Sequence, residues 1–124
     1  MNAYGQRGMP RRDNPDPLAL AIGQRIRQFR EEAGLTLEKL AYESELGSKG
    51  HLSNLERGLV RPTVNTLRVL ADRLGVLVLD LVTFPEQDER QALTAALRKL
   101  RPAALRRIRK EIEAPTKARR LPRK

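Results

Sequence analysis

The sequence predicts an all-α protein: a core of five short helices followed by a two-helix basic extension. Three observations carry this. Apolar residues recur at spacings of three and four in segment after segment, the period of one helical face. Glycines end those segments, and Asp, Ser or Thr opens them. Only Val76–Val82 has the β-branched content of a strand, and no partner strand is visible.

Residues 1–16 hold prolines and glycines but almost no large apolar side chains, so they are expected to be disordered. Asp16-Pro17 reads as a helix start, with Asp as N-cap and Pro at the first helical position. Helix one is expected from Leu18 to Ala33, with Leu18, Ile22, Ile26, Phe29 and Ala33 on one face and Gly34 as terminator. Thr36 caps helix two, Leu37–Ser44, which buries Leu40 and Ala41. Ser48 caps helix three, Lys49–Arg57, which buries Leu52 and Leu55 before Gly58 stops it. Pro62-Thr63 opens helix four, with Leu67, Leu70, Ala71 and Leu74 inward and Gly75 as its end. Val76–Val82 is read as a short fifth helix.

The composition shifts after this. Leu93, Ala96, Leu97 and Leu100 form one helical stripe, and Leu105, Ile108 and Ile112 a second that starts at Pro102. The first stripe is expected to pack on the core, with a dimer interface as the alternative. The domain plan is therefore a disordered segment 1–16, a folded domain 17–84, a helical extension 85–113 and a disordered basic tail 114–124.

The net charge of +10 suggests a polyanionic partner. Its distribution is uneven: residues 18–84 are net +1, whereas residues 85–124 are net +8. There is no cysteine and a single histidine, His51, so disulfides and Cys- or His-rich metal sites are excluded. No cofactor is expected. The N-terminal stretch has no apolar h-region, and no apolar run reaches the ~20 residues that span a bilayer, so a cytoplasmic protein is expected. An amphipathic basic helix can lie on a membrane, but four aromatic residues in the chain argue against it. No Gly-rich phosphate loop and no Ser/His/Asp arrangement supports an enzyme.

Helices two and three are short and joined by a tight, glycine-containing turn, the geometry of a helix-turn-helix. The residues go further. The run IGQRIRQFREEAGLTLEKLA, then KGHLSNLERG, then RPTVNTLRVLADRLGV resembles the lambda-repressor-like, Cro/Xre-type helix-turn-helix family over roughly residues 20–83. The Leu-Thr-x-x-x-Leu-Ala start of helix two, Leu-Ser-x-Leu-Glu-x-Gly in helix three, a Pro-Thr cap and a Leu-Gly-Val ending are all present.

The resemblance implies that helix 49–57 enters the major groove of double-stranded DNA. Arg30 and Glu56 stand at the family positions of a partly buried ion pair tying helix one to helix three. The DNA-facing residues would be Lys49, Gly50, Ser53 and Asn54. Lys49 can donate to guanine O6 or N7, and Asn54 can pair with adenine N6 and N7. Gly50 has no side chain and would permit close approach. His51 would touch a phosphate or base, or be only a surface or capping residue. Thr36 and Ser48 cap the helix ends that face phosphates, and Arg57 and Arg61 flank the backbone-contacting loop. Two departures from the family stand out. Leu37 replaces a polar residue, often Gln, just after the cap of helix two, and the turn Ser44–Ser48 is one residue longer than usual.

The resulting reading is a sequence-specific transcriptional regulator of a bacterium or phage, most simply a nucleoid-associated repressor. A homodimer is expected, because six of the seven residues in Val76–Val82 are large and apolar. Alternatives are an autoregulating antitoxin or restriction-system controller, a protein-bridging coactivator-like module, and a sequence-blind DNA coat.

Overall fold

The structure is a computed structural model that describes residues 13–115. Most of the N-terminal segment and the basic tail, for which disorder is expected, lie outside these residues. Seven helices occur among the described residues: α1 (Pro17–Glu32), α2 (Leu37–Glu43), α3 (Lys49–Glu56), α4 (Val64–Leu74), α5 (Val78–Leu81), α6 (Glu89–Leu97) and α7 (Pro102–Glu113). The chain divides into two compact units between Phe84 and Pro85.

The first four helices start where a side chain satisfies an orphan N–H of the first turn. The Asp16 carboxylate accepts from Ala19 N at 3.0 Å, with Pro17 at the first position of α1. Thr36 Oγ1 accepts from Lys39 N at 3.0 Å, Ser48 Oγ from His51 N at 3.2 Å, and Thr63 Oγ1 from Thr66 N at 3.0 Å. The ends differ slightly from expectation. Ser44 and Arg57 are the C-caps of α2 and α3 rather than their last residues. The fifth helix is a single turn. Leu77 stays extended, and the buried Asp80 carboxylate turns back to accept from Leu77 N at 2.8 Å.

The core is built from one face of each helix. Ile22, Ile26 and Phe29 of α1 meet Leu40 and Ala41 of α2, Leu52 and Leu55 of α3, Leu67, Leu70 and Ala71 of α4, and Leu81 of α5. Burying a Leu or Ile side chain fully contributes about 1.5–3 kcal/mol, so this cluster holds α3 in place. Two glycines set how closely the elements approach. A Cβ on Gly23 in α1 would lie 2.4 Å from the Leu55 carbonyl oxygen and 2.5 Å from that of Glu56. Gly58 sits at φ +73, where a Cβ would also strike the Leu20 backbone at 2.6 Å.

One charged residue departs from its sequence pattern. Arg25 is buried: its guanidinium lies 4.7 Å from the Phe29 ring centroid, and Nε donates to the Asp80 carbonyl at 3.1 Å. The hydrogen bond ties α1 to α5, and the cation–π contact, made within α1, holds the guanidinium in place.

The second unit is unlike the first. The Asp88 carboxylate caps α6, accepting from Gln91 Nε2 at 3.0 Å and Gln91 N at 2.8 Å. These bonds, the side-chain one foremost, hold its carboxyl below the usual range. No residue of α6 or α7 is buried. Leu93 and Leu100, of the stripe expected to pack on the core or to form a dimer interface, are exposed in this unit.

Candidate nucleic-acid interface

The site begins with how α3 is held. Arg30, in the last turn of α1, reaches Glu56, the last residue of α3. Its Nε donates to Glu56 Oε2 at 2.7 Å and its second terminal nitrogen donates to Oε1 at 3.1 Å, a forked pair with both side chains about nine-tenths buried. The third nitrogen donates to the Leu35 carbonyl at 2.8 Å, so the guanidinium also grips the loop entering α2. The bond to Glu56 outweighs burial and raises the Arg30 pKa further above its already high ordinary value. The sequence resemblance paired these two residues, and the structure brings them together.

The turn between α2 and α3 is held by its own residues. Glu45 takes a left-handed conformation at φ 56, and Gly47 follows at φ 92. Leu46, between them, is partly buried against the core, and its N–H donates to the Ala41 carbonyl at 3.3 Å. The longer turn thus gains an apolar anchor. Leu37 packs partly against the same core, which accounts for an apolar side chain where the resemblance leads one to expect a polar one.

The remaining predicted residues fall into three groups. Lys49 and Gly50, in the first turn of α3, are exposed, as are the caps Thr36 and Ser48. His51, Ser53 and Asn54 are half-buried, so Ser53 and Asn54 present less surface than expected. Their carbonyls serve the helix end, accepting from Arg57 N at 3.0 Å and Leu59 N at 2.9 Å respectively. Arg57 is exposed beyond that end. Arg61 is partly engaged, donating to Asp16 Oδ1 at 3.2 Å, so the cap of α1 and the loop after α3 share one carboxylate. A Cβ on Gly50 would meet only Ser48 Oγ, at an ordinary 3.7 Å, so the fold itself leaves room for a side chain there.

Sequence reasoning missed a pair at the start of these two helices. Lys49 Nζ stands 3.5 Å from Glu38 Oε1, linking the first turns of α2 and α3. The residues are eleven apart on different helices, and no periodicity marks such a contact. Among the described residues no cluster of acidic or histidine side chains could hold a metal ion, and no helix is long and apolar enough to cross a membrane.

Residues 21–82 match the protein family described as "Helix-turn-helix domain". The chain is 41% identical over 63 residues to the HTH-type transcriptional regulator DdrOP3 of Deinococcus deserti, covering 51% of this chain and 48% of that protein. It is 45% identical over 62 residues to the HTH-type transcriptional regulator y4dJ of Sinorhizobium fredii, covering 50% of this chain and 79% of that one. The match therefore spans about half of the first relative and most of the second. The crystal structure of the clp gene regulator ClgR from Corynebacterium glutamicum is similar at TM-score 0.52 and 33% identity, over 79% of this chain and 96% of that one.

Proposed function

This chain belongs to the helix-turn-helix domain family, and from that premise we propose that it is a cytoplasmic, sequence-specific DNA-binding regulator of transcription that represses by occupying an operator. The observation that carries the reading is the combination of a fixed recognition helix and an exposed first turn. The forked Arg30–Glu56 pair and the Gly23 contact hold the C-terminal end of α3 on α1. Lys49 and Gly50 at the other end face solvent. In the major groove, Lys49 donates to guanine O6 or N7, Asn54 pairs with an adenine edge, and Gly50 lets the backbone approach. Ser53 and His51 line the same face, while Thr36, Ser48, Arg57 and Arg61 serve phosphates.

The regulator acts as a homodimer. Leu77 and Leu79, at α5, are 66% and 52% exposed, an apolar surface suited to a second copy. Two copies of α3 then meet half-sites about one helical turn, ~34 Å, apart. The basic second unit adds phosphate contacts without reading sequence.

Selection of bound duplexes from a random pool, followed by footprinting, tests this. A palindromic site is expected. Lys49→Ala and Asn54→Ala should each lower affinity for it by about 1–3 kcal/mol and relax preference at one base position. Full retention of sequence preference in both variants would show that α3 does not read the bases. Binding with no preferred site at all would return the chain to the bridging or coating alternatives.

A further inference from the structure

The α5 turn is too short to stand by itself, because the first turn of a helix is the costly one and α5 has no second. Three bonds hold it. The Asp80 carboxylate accepts from Leu77 N at 2.8 Å, and Thr83 Oγ1 donates to the Leu79 carbonyl at 2.6 Å. The third comes from another helix: Arg25 Nε donates from α1 to the Asp80 carbonyl at 3.1 Å. Arg25 is itself fixed, buried against Phe29 and donating from Nη1 to Gln28 Oε1 at 3.1 Å. The turn has two sides. Val78 and Leu81 pack inward, whereas Leu77, Leu79 and Val82 face solvent.

We propose that Arg25 is a positioning residue for the homodimer: its bond to the Asp80 carbonyl presets the α5 turn, so that Leu77, Leu79 and Val82 meet a second copy as a ready-made surface. The inference rests on the homodimer of the reading above and adds how its interface is formed. Charge favours a second copy here. Asp80 is the only charged residue in Val76–Phe84, and it is buried. Residues 18–84 are net +1, so two such surfaces approach without repulsion, whereas the net +8 of residues 85–124 opposes like pairing. Association must order whatever it buries, and a turn ordered in advance removes that cost. Without the Arg25 bond the turn opens part of the time, and dimer affinity falls with the fraction still formed. The α3 helix is mounted elsewhere, through Arg30–Glu56 and Gly23, so each protomer reads its half-site as before.

Two uncharged variants of the full-length protein isolate the bond. The amide nitrogen of Arg25→Gln stands as many bonds from the backbone as Arg25 Nε and can donate to the same carbonyl. Arg25→Met has equal reach and no donor. Both give up the charge over Phe29. By analytical ultracentrifugation, Arg25→Met should raise the dimer dissociation constant about tenfold, and Arg25→Gln by less than about twofold. Affinity of the monomer for a single half-site should not change in either. Equal dissociation constants for Arg25→Met and the wild type overturn this inference, as does equal weakening by Met and Gln. Hydrogen exchange of the monomeric wild type needs no variant: the amides of Leu77, Asp80 and Val82 should already be protected. Free exchange there that slows only on dimerisation means that the turn is not preset, and overturns the inference as well. A wild type that stays monomeric, or a dimer that Leu79→Ser leaves intact, instead overturns the homodimer reading beneath it.

Discussion

Residues 18–84 carry nine basic and eight acidic side chains, whereas residues 85–124 carry thirteen and five. The first region holds the whole hydrophobic cluster, from Ile22 to Phe84; the second buries no residue in either of its helices. One region is built around a buried core and almost neutral, the other strongly cationic and without a buried residue in its described helices. Recognition of base edges needs fixed geometry, because a hydrogen bond misplaced by a fraction of an ångström is weakened or broken. Attraction to a polyanion needs only charge, and it acts through counterion release whatever the register. On the proposed function, the difference between the regions corresponds to a division of labour: specificity on the packed side, electrostatic affinity on the other.

The sharpest break in this comparison is Arg30→Ala set against Arg27→Ala. The first leaves the Glu56 carboxylate buried without its partner, which costs about 3–5 kcal/mol. The second removes only an exposed i,i+4 pair with Glu31, worth at most about 1 kcal/mol. Denaturant midpoints of the two variants read the difference, and equal midpoints would mean that the first region does not depend on this pair for its rigidity.

A chain ended at Phe84 tests the other side. It keeps the entire core cluster, so its unfolding midpoint should be unchanged. Its affinity for the operator should fall, and its salt slope should flatten by about 0.9 for each phosphate that the shortened chain leaves un-neutralised. The selected sequence should stay the same. A changed sequence preference would assign base reading to the second region and dissolve the division.

The smallest effect is the most discriminating. Gly50→Ala meets no steric obstacle within the protein, so it should stabilise α3 by about 0.5–1 kcal/mol. The same methyl group would stand between α3 and the groove floor, so operator affinity should drop while thermal stability rises. Parallel gains in both would show that Gly50 does not approach DNA closely.

Much of this was legible in the sequence because caps are local. Asp16, Thr36, Ser48 and Thr63 each accept from an N–H three residues on, a contact that needs no knowledge of the rest of the chain. The Arg30–Glu56 pair spans 26 positions and was reached only through family resemblance. Contacts of that reach without such a guide were missed. The contacts of Arg25 with Phe29 and the Asp80 carbonyl are among them, since the second reaches 55 positions along the chain. The stripe of Leu93 and Leu100 is helical in its spacing, but spacing establishes a face and not what covers it. Burial of Ser53 and Asn54 depends on how deeply α3 seats, which only the assembled core determines.

Gly23 bears on how such a protein diverges. Because α1 and the end of α3 meet backbone to backbone, with no room for even a methyl group, the recognition helix has no slack at its mounting. Its exposed turn at Lys49 and Gly50 lies at the opposite end of the helix and takes no part in that contact. On the proposed function, the address that the helix reads and the joint that carries it are thereby separable. A regulator made this way can be redirected to new operators by exchanging a few exposed side chains, each tried without risk to the joint.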